Sequence, residues 1–216
     1  KRQILTTALA SDLINESGHV FIPEGYTTIA NDAFRNNENL TKVDISDTVT
    51  TIGTYAFDNC TSLTEVTIGN SVTTIGSGVF AGCTSLSSVT IPDSLTTIAD
   101  GAFFGCDSLS SVTIPDSLTT IEEYAFYNCT GLESVTIPDS VTTIKEYAFY
   151  NCTNLTSVTM YEGITFGNSV FQYTSLNEVT VYYTDNQPNY DSHIPITVNY
   201  QIIPESEPEP EPETEP

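Results

Sequence analysis

Between Val20 and Val181 the apolar residues return in one fixed order. In the stretch Ser88 to Leu109, SVTIPDSLTTIADGAFFGCDSL, they are Val89, Ile91, Leu95, Ile98, Ala102, Phe103, Cys106 and Leu109. Val89 and Ile91 stand two apart, which puts both on one face of a short strand, and Pro92 ends it because proline cannot donate to a ladder. From Ile98 onward the spacings of four, one, three and three predict a helical or 3₁₀ turn that returns the chain. Ser110 to Leu132 and Glu133 to Leu155 repeat this stretch almost letter for letter, with a period of 23 residues that aligns Cys60, Cys83, Cys106, Cys129 and Cys152. Phe34, Phe57, Phe80, Phe103, Phe126 and Phe149 align in the same way. Such a period signals a solenoid, because one unit cannot bury enough apolar surface to offset the ordering of its own backbone and must borrow contacts from its neighbours.

The ends of the chain depart from the period. Residues 3–14, QILTTALASDLI, place Leu5, Leu9 and Leu13 four apart, which predicts an amphipathic helix and a helical cap over residues 1–17. The array then runs over 18–184 as about seven units. Its first unit has Asn37 at the cysteine position, and its last is degraded, with Met160, Tyr161 and Thr174 at the isoleucine, proline and cysteine positions. A strand at 177–184 is expected to close the ladder. After the turn-rich DNQPNYDSH, Ile194 to Ile203 alternates apolar residues as one more strand, so 185–204 reads as a strand cap on the exposed edge. Residues 205–216, ESEPEPEPETEP, read as a stiff, solvated acidic spacer leading to a further domain or an anchor. The start at Lys1-Arg2, without methionine, reads as a trimmed or partial product.

The core Leu-x-x-Val-x-Ile-Pro, followed by Val-Thr-Thr-Ile-x-x-x-Ala-Phe-x-x-Cys-x-x-Leu, resembles the BspA-type (Treponema-type) leucine-rich repeat over about residues 18 to 180, six times in full. The resemblance implies an α/β repeat fold: a right-handed leucine-rich-repeat solenoid with short parallel strands and helical or 3₁₀ return segments. It also implies an extracellular or cell-surface location and, as in some members, adhesion to host or matrix proteins. It supplies no catalytic residues.

Charge narrows the partners. Five basic residues face 28 acids, for a net charge of −23, and the chain without its last twelve residues still carries about −17. Nucleic acid and anionic membranes would be repelled. No run of 18 apolar residues exists to span a bilayer.

Candidate chemistry is sparse. Five thiols on stacked rungs would form a line rather than converge on a tetrahedral metal site, so no metal or cofactor is expected and the cysteines read as buried structural thiols. His19 and His193 stand near opposite ends of the array, in no context that suggests a catalytic triad, and read as surface residues; the chain is expected not to be an enzyme. Sequons at Asn15, Asn39, Asn59, Asn128, Asn151 and Asn154 are explained by the repeat itself better than by glycosylation.

The outward positions of the strands carry the informative surface: Lys42 and Asp44, Glu65 and Thr67, Ser88 and Thr90, Ser111 and Thr113, Ser134 and Thr136, Ser157 and Thr159. In a curved solenoid these would line the concave side, where extended partners bind. The expected ligand is a protein or a surface glycan. Specificity would come from Lys42, Asp44, Glu65 and Tyr161, or from Tyr124, Tyr127, Tyr147 and Tyr150 on the return side. Threonine also favours strands in its own right, so the alternative is a spacer or structural element of a larger surface or viral assembly.

Overall fold

The computed structural model describes residues 3–183 and 198–202. It is a parallel-strand solenoid of short rungs. One row of strands runs through His19–Ile22, Lys42–Ile45, Glu65–Thr67 and Ser88–Thr90, then Ser111–Thr113, Ser134–Thr136, Ser157–Tyr161, Glu178–Tyr183 and Val198–Ile202. A second row runs through Gln3–Leu5, Tyr26–Ile29, Thr51–Ile52 and Thr74–Ile75, then Thr97–Ile98, Thr120–Ile121, Thr143–Ile144 and Thr165–Phe166. Pairing is parallel and brings equivalent residues side by side: Val43 against Val66, Val66 against Val89, Val112 against Val135 and Val135 against Val158. Ladder pairing is interrupted once in each row, between Thr74–Ile75 and Thr97–Ile98 in one and between Ser88–Thr90 and Ser111–Thr113 in the other.

In-register stacking explains the core. Alternation places Val112 inside and Ser111 and Thr113 outside, and each inward residue meets its own equivalent on the next rung. The phenylalanines from Phe34 to Phe171 form one continuous stack, with ring centroids 5.0 to 5.6 Å apart. That spacing matches the rung separation of a β-ladder and leaves the rings in offset contact. Beside the stack, each cysteine Sγ donates to the phenylalanine carbonyl one unit back, as from Cys60 to Phe34 (3.1 Å) and from Cys129 to Phe103 (3.1 Å). All five thiols are free and buried. Burial pushes Cys60 and Cys152 up to about 12, and holds Cys106 and Cys129 well above the ordinary thiol range.

The return segments correct the sequence expectation. They are neither helical nor 3₁₀, and the α/β description gives way to an almost entirely β solenoid. Two residues in each return turn, two before and two after the phenylalanine, adopt the left-handed conformation: Tyr55 and Asn59, Gly78 and Gly82, Tyr124 and Asn128. The physical reason is the fate of the N–H groups. Those of Tyr55, Phe57 and Asn59 donate to Ser77, Val79 and Ala81 of the following unit, at 2.9, 2.9 and 2.7 Å. A helix would spend these donors internally and leave the neighbouring unit unpaired. The repeated Asn-Cys-Thr owes its asparagine to this turn, since asparagine tolerates the left-handed region and can extend the ladder, as from Asn151 Nδ2 to Asn128 Oδ1 at 2.6 Å.

The amphipathic helix expected over 3–14 is also corrected. Gln3–Leu5 is a strand parallel to Tyr26–Ile29, only Thr7–Ala10 is α-helical, and Ser11–Leu13 is a 3₁₀ turn. A twelve-residue helix is marginal by itself. Pairing with the second row buries Leu5 completely and lets its carbonyl accept from Ala30 N–H at 2.9 Å, whereas Leu9, on the expected stripe, stays exposed. At the other end Glu178–Tyr183 does not close the ladder, because Val198–Ile202 adds a parallel rung beyond it, with Val179 opposite Val198. The turn-rich break, His193 and the acidic spacer lie outside the described residues.

Candidate interaction surfaces

The strand row places the outward Ser, Thr and charged residues predicted to bind on one face. By register His19, Lys42, Glu65 and Ser88 form one line and Phe21, Asp44, Thr67 and Thr90 the line beside it. Ser111, Ser134 and Ser157 continue the first, and Thr113, Thr136 and Thr159 the second. Glu65 to Thr136 are exposed at these positions, whereas Lys42, Asp44, Ser157 and Thr159 are half-buried.

The hydroxyls around the strand row differ in their partners. Several just outside the strands donate to backbone: Thr64 Oγ1 to the Thr41 carbonyl at 3.0 Å, Thr119 to Thr96 at 3.1 Å and Ser117 to Leu95 at 2.7 Å. On the strand face, Ser88, Thr90, Ser111, Thr113, Ser134 and Thr136 side chains have no hydrogen-bond partner among the described residues. They form a lattice of free donors and acceptors one rung apart.

At the N-terminal end of this face the charged residues form a small network. Lys42 Nζ lies 3.0 Å from Glu65 Oε1 and 3.9 Å from Asp44 Oδ2, and Asp44 Oδ2 meets His19 Nε2 at 2.8 Å. The hydrogen bond to Glu65 raises the Lys42 ammonium above its ordinary value. The sequence reading missed Phe21, which heads the threonine line with 58% of its surface exposed, and treated His19 as isolated. The 23-residue period places both in these lines, and applying it one unit earlier would have found them.

The return edge is a second surface, and here units differ. Tyr124 stacks on Tyr147 at 5.3 Å, while Phe104, Tyr127 and Tyr150 stack in a parallel column at 4.9 and 5.0 Å. Toward the N-terminus Arg35 Cζ sits 4.9 Å above the Tyr55 ring, held by Asp32 (3.0 Å) and Asp58 (2.8 Å). Lys145 is likewise bound to Glu122 at 2.6 Å. Arg35, Lys42 and Lys145, the basic residues of the array, are therefore all paired, and what remains for a partner is hydroxyl, aromatic and acidic.

Comparison with known proteins agrees with this geometry. A crystal structure of a leucine-rich repeat protein from T. pallidum is 30% identical, with a TM-score of 0.69 over 75% of this chain and 79% of that one. A leucine-rich repeat protein from Eubacterium ventriosum is also 30% identical, with a TM-score of 0.71 over 76% of this chain and 45% of that one. No curated protein matches the sequence. The BspA type leucine rich repeat region matches residues 14–103 and 74–187 in six copies. The rungs those copies encode are the ones whose valines, phenylalanines and thiols stack in register, and the chain accordingly belongs to the BspA-type leucine-rich repeat family.

Proposed function

We propose that the chain is a non-enzymatic protein-binding module used in surface adhesion, working outside the cell or on its surface. Leucine-rich repeat proteins are generally interaction scaffolds, and the fold is one of scaffolds rather than enzymes. The observation that carries the reading is the run of strand-face hydroxyls that have no partner among the described residues over consecutive rungs, whereas several hydroxyls beside the strands donate to backbone. An extended array of unpaired donors and acceptors suits a long, polar partner surface, a protein or a surface glycan, laid along the solenoid axis. The residues we assign to it are Lys42, Asp44, Glu65 and Thr67, with the Ser-x-Thr pairs from Ser88–Thr90 to Ser157–Thr159. In this reading the solenoid is right-handed, as parallel-strand crossovers are, its strand face is concave, residues 1–17 cap one end, and 185–204 cap the other.

The test is a capture experiment from the native environment, repeated with Glu65→Lys and with Thr90→Lys. A soluble partner lost on either substitution supports the reading. A partner retained by both variants overturns the assignment of the face. A second reading, a spacer within a larger assembly, is favoured by the identity of the central rungs, where Ser111, Thr113, Ser134 and Thr136 repeat without variation. Sedimentation would then show end-to-end polymers as concentration rises, and recovery only within polymers.

A further inference from the structure

On the return edge, glycine replaces a ring in two successive units. At the first left-handed position of the five central return turns stand Tyr55, Gly78, Gly101, Tyr124 and Tyr147. Tyrosine accepts this backbone conformation in three of these five units, so glycine is not required by the turn, and its effect is to delete a ring. Tyr55 covers the first deletion: a Cβ on Gly78 would lie 2.3 Å from Tyr55 Cε1. The second stays open, because a Cβ on Gly101 would meet nothing nearer than Phe104 Cβ at 3.8 Å. The result is a depression of about 380 Å³ lined by Tyr55, Tyr124, Gly101, Phe104, Asp100 and Ser77. Two rungs separate the Gly78 level from that of Tyr124, roughly 10 Å, and a planar group in contact on both faces needs roughly 7 Å.

Charge and shape together select the occupant. Burial, then Tyr147 and the carboxylates Glu123, Glu146 and Asp100, raise the Tyr124 phenol above its ordinary value, which marks a negative field at the slot. The chain already shows how it treats a planar cation nearer its N-terminus, where Arg35 lies over Tyr55 between two aspartates. We propose that the slot between Tyr55 and Tyr124 takes an arginine side chain from a basic segment of a partner protein, its guanidinium stacked between rings and paired with Asp100. A guanidinium is favoured over an ammonium because it is planar, weakly hydrated and fork-shaped. The proposal rests on the protein-binding reading only in that a partner chain supplies the arginine; it uses a different surface and has its own probe.

The experiment is a titration of the full chain with acetyl-Gly-Gly-Arg-Gly-Gly-amide, followed by the NMR signals of the Gly101 amide and the Tyr124 ring. The arginine peptide should shift both, with binding weakened by salt. The lysine analogue should bind more weakly, and methyl glucoside should leave the signals in place. Asp100→Asn should weaken binding about 3- to 10-fold. Gly101→Tyr, which fills the slot with the ring that other units carry there, should abolish the shifts of Tyr124. If that variant does not fold, Phe104→Ala, at an exposed wall, should weaken the arginine peptide instead. Unchanged binding in the filled-slot or wall variant, equal binding of the lysine peptide, a stronger response to the glucoside, or no response to arginine would each overturn the proposal. A strand-face variant such as Thr90→Lys should leave this titration unaltered, so failure of the face assignment and failure of the slot are separable.

Discussion

The two long surfaces of this solenoid, the strand face and the return edge, rest on the same core yet are built by opposite rules. On the strand face the central rungs present the same Ser-x-Thr pair each time, and its serines and threonines hold no side-chain partner among the described residues. On the return edge successive units offer tyrosine, glycine, glycine, tyrosine and tyrosine at one position, and aspartate, alanine, phenylalanine, tyrosine and tyrosine at another. A uniform face can grip an extended partner but cannot set its register along the axis, because shifting by one rung changes nothing. A varied edge can set register, and a slot opened where a ring is missing is how it would do so. Monotony and specificity are thereby divided between two sides of one repeat.

Damage to the shared core should disable both surfaces at once. Phe103→Ala opens the ring stack at its middle and should cost about 3–5 kcal/mol in urea unfolding, with loss of binding on both sides. An unaltered midpoint would mean that the rungs hold without the stack.

Alkaline pH acts on the same core more gradually. The folded thiols titrate above their ordinary value near 9, so below that pH their contribution is fully present. As pH rises from 9 through about 12, the unfolded chain loses these protons first and the folded state is progressively disfavoured. Urea midpoints measured from pH 8 to 11 should fall, and Cys106→Ala should flatten that fall. In the native state the thiols should resist alkylation at neutral pH until the chain unfolds.

Substitutions on one surface should leave the other intact. Tyr127→Ala removes the middle ring of the Phe104–Tyr127–Tyr150 column and should cost about 0.5–1.5 kcal/mol beyond lost area, without altering capture by the strand face. Smallest of all should be Glu65→Gln, which releases Lys42 from an exposed pair and should leave the thermal midpoint unchanged within error. A clear loss of stability there would show the charged corner to be structural rather than available to a ligand.

Periodicity alone was enough to identify the rungs, their register, the inward valines and phenylalanines, and the two lines of the strand face. Each depends on spacing, and a strand alternates its side chains whatever surrounds it. Asn37 and Thr174 stand at the cysteine position of the end units, and the thiol-to-carbonyl bonds show that this position meets backbone polar groups. Three things were not legible. The 3.6-like spacing after Ile98 suggested helix, because apolar spacing does not reveal whether an N–H donates within its own turn or to the next unit. Leu5, Leu9 and Leu13 suggested a helix for the same reason, and pairing with Tyr26–Ile29 decided otherwise. The slot at Gly101 was hidden because a missing side chain becomes a cavity only when the rings of neighbouring units are stacked around it. Spacing along a chain reports which side chains share a face, while the destination of each backbone hydrogen bond and the shape left between rungs are set only when one unit lies against another.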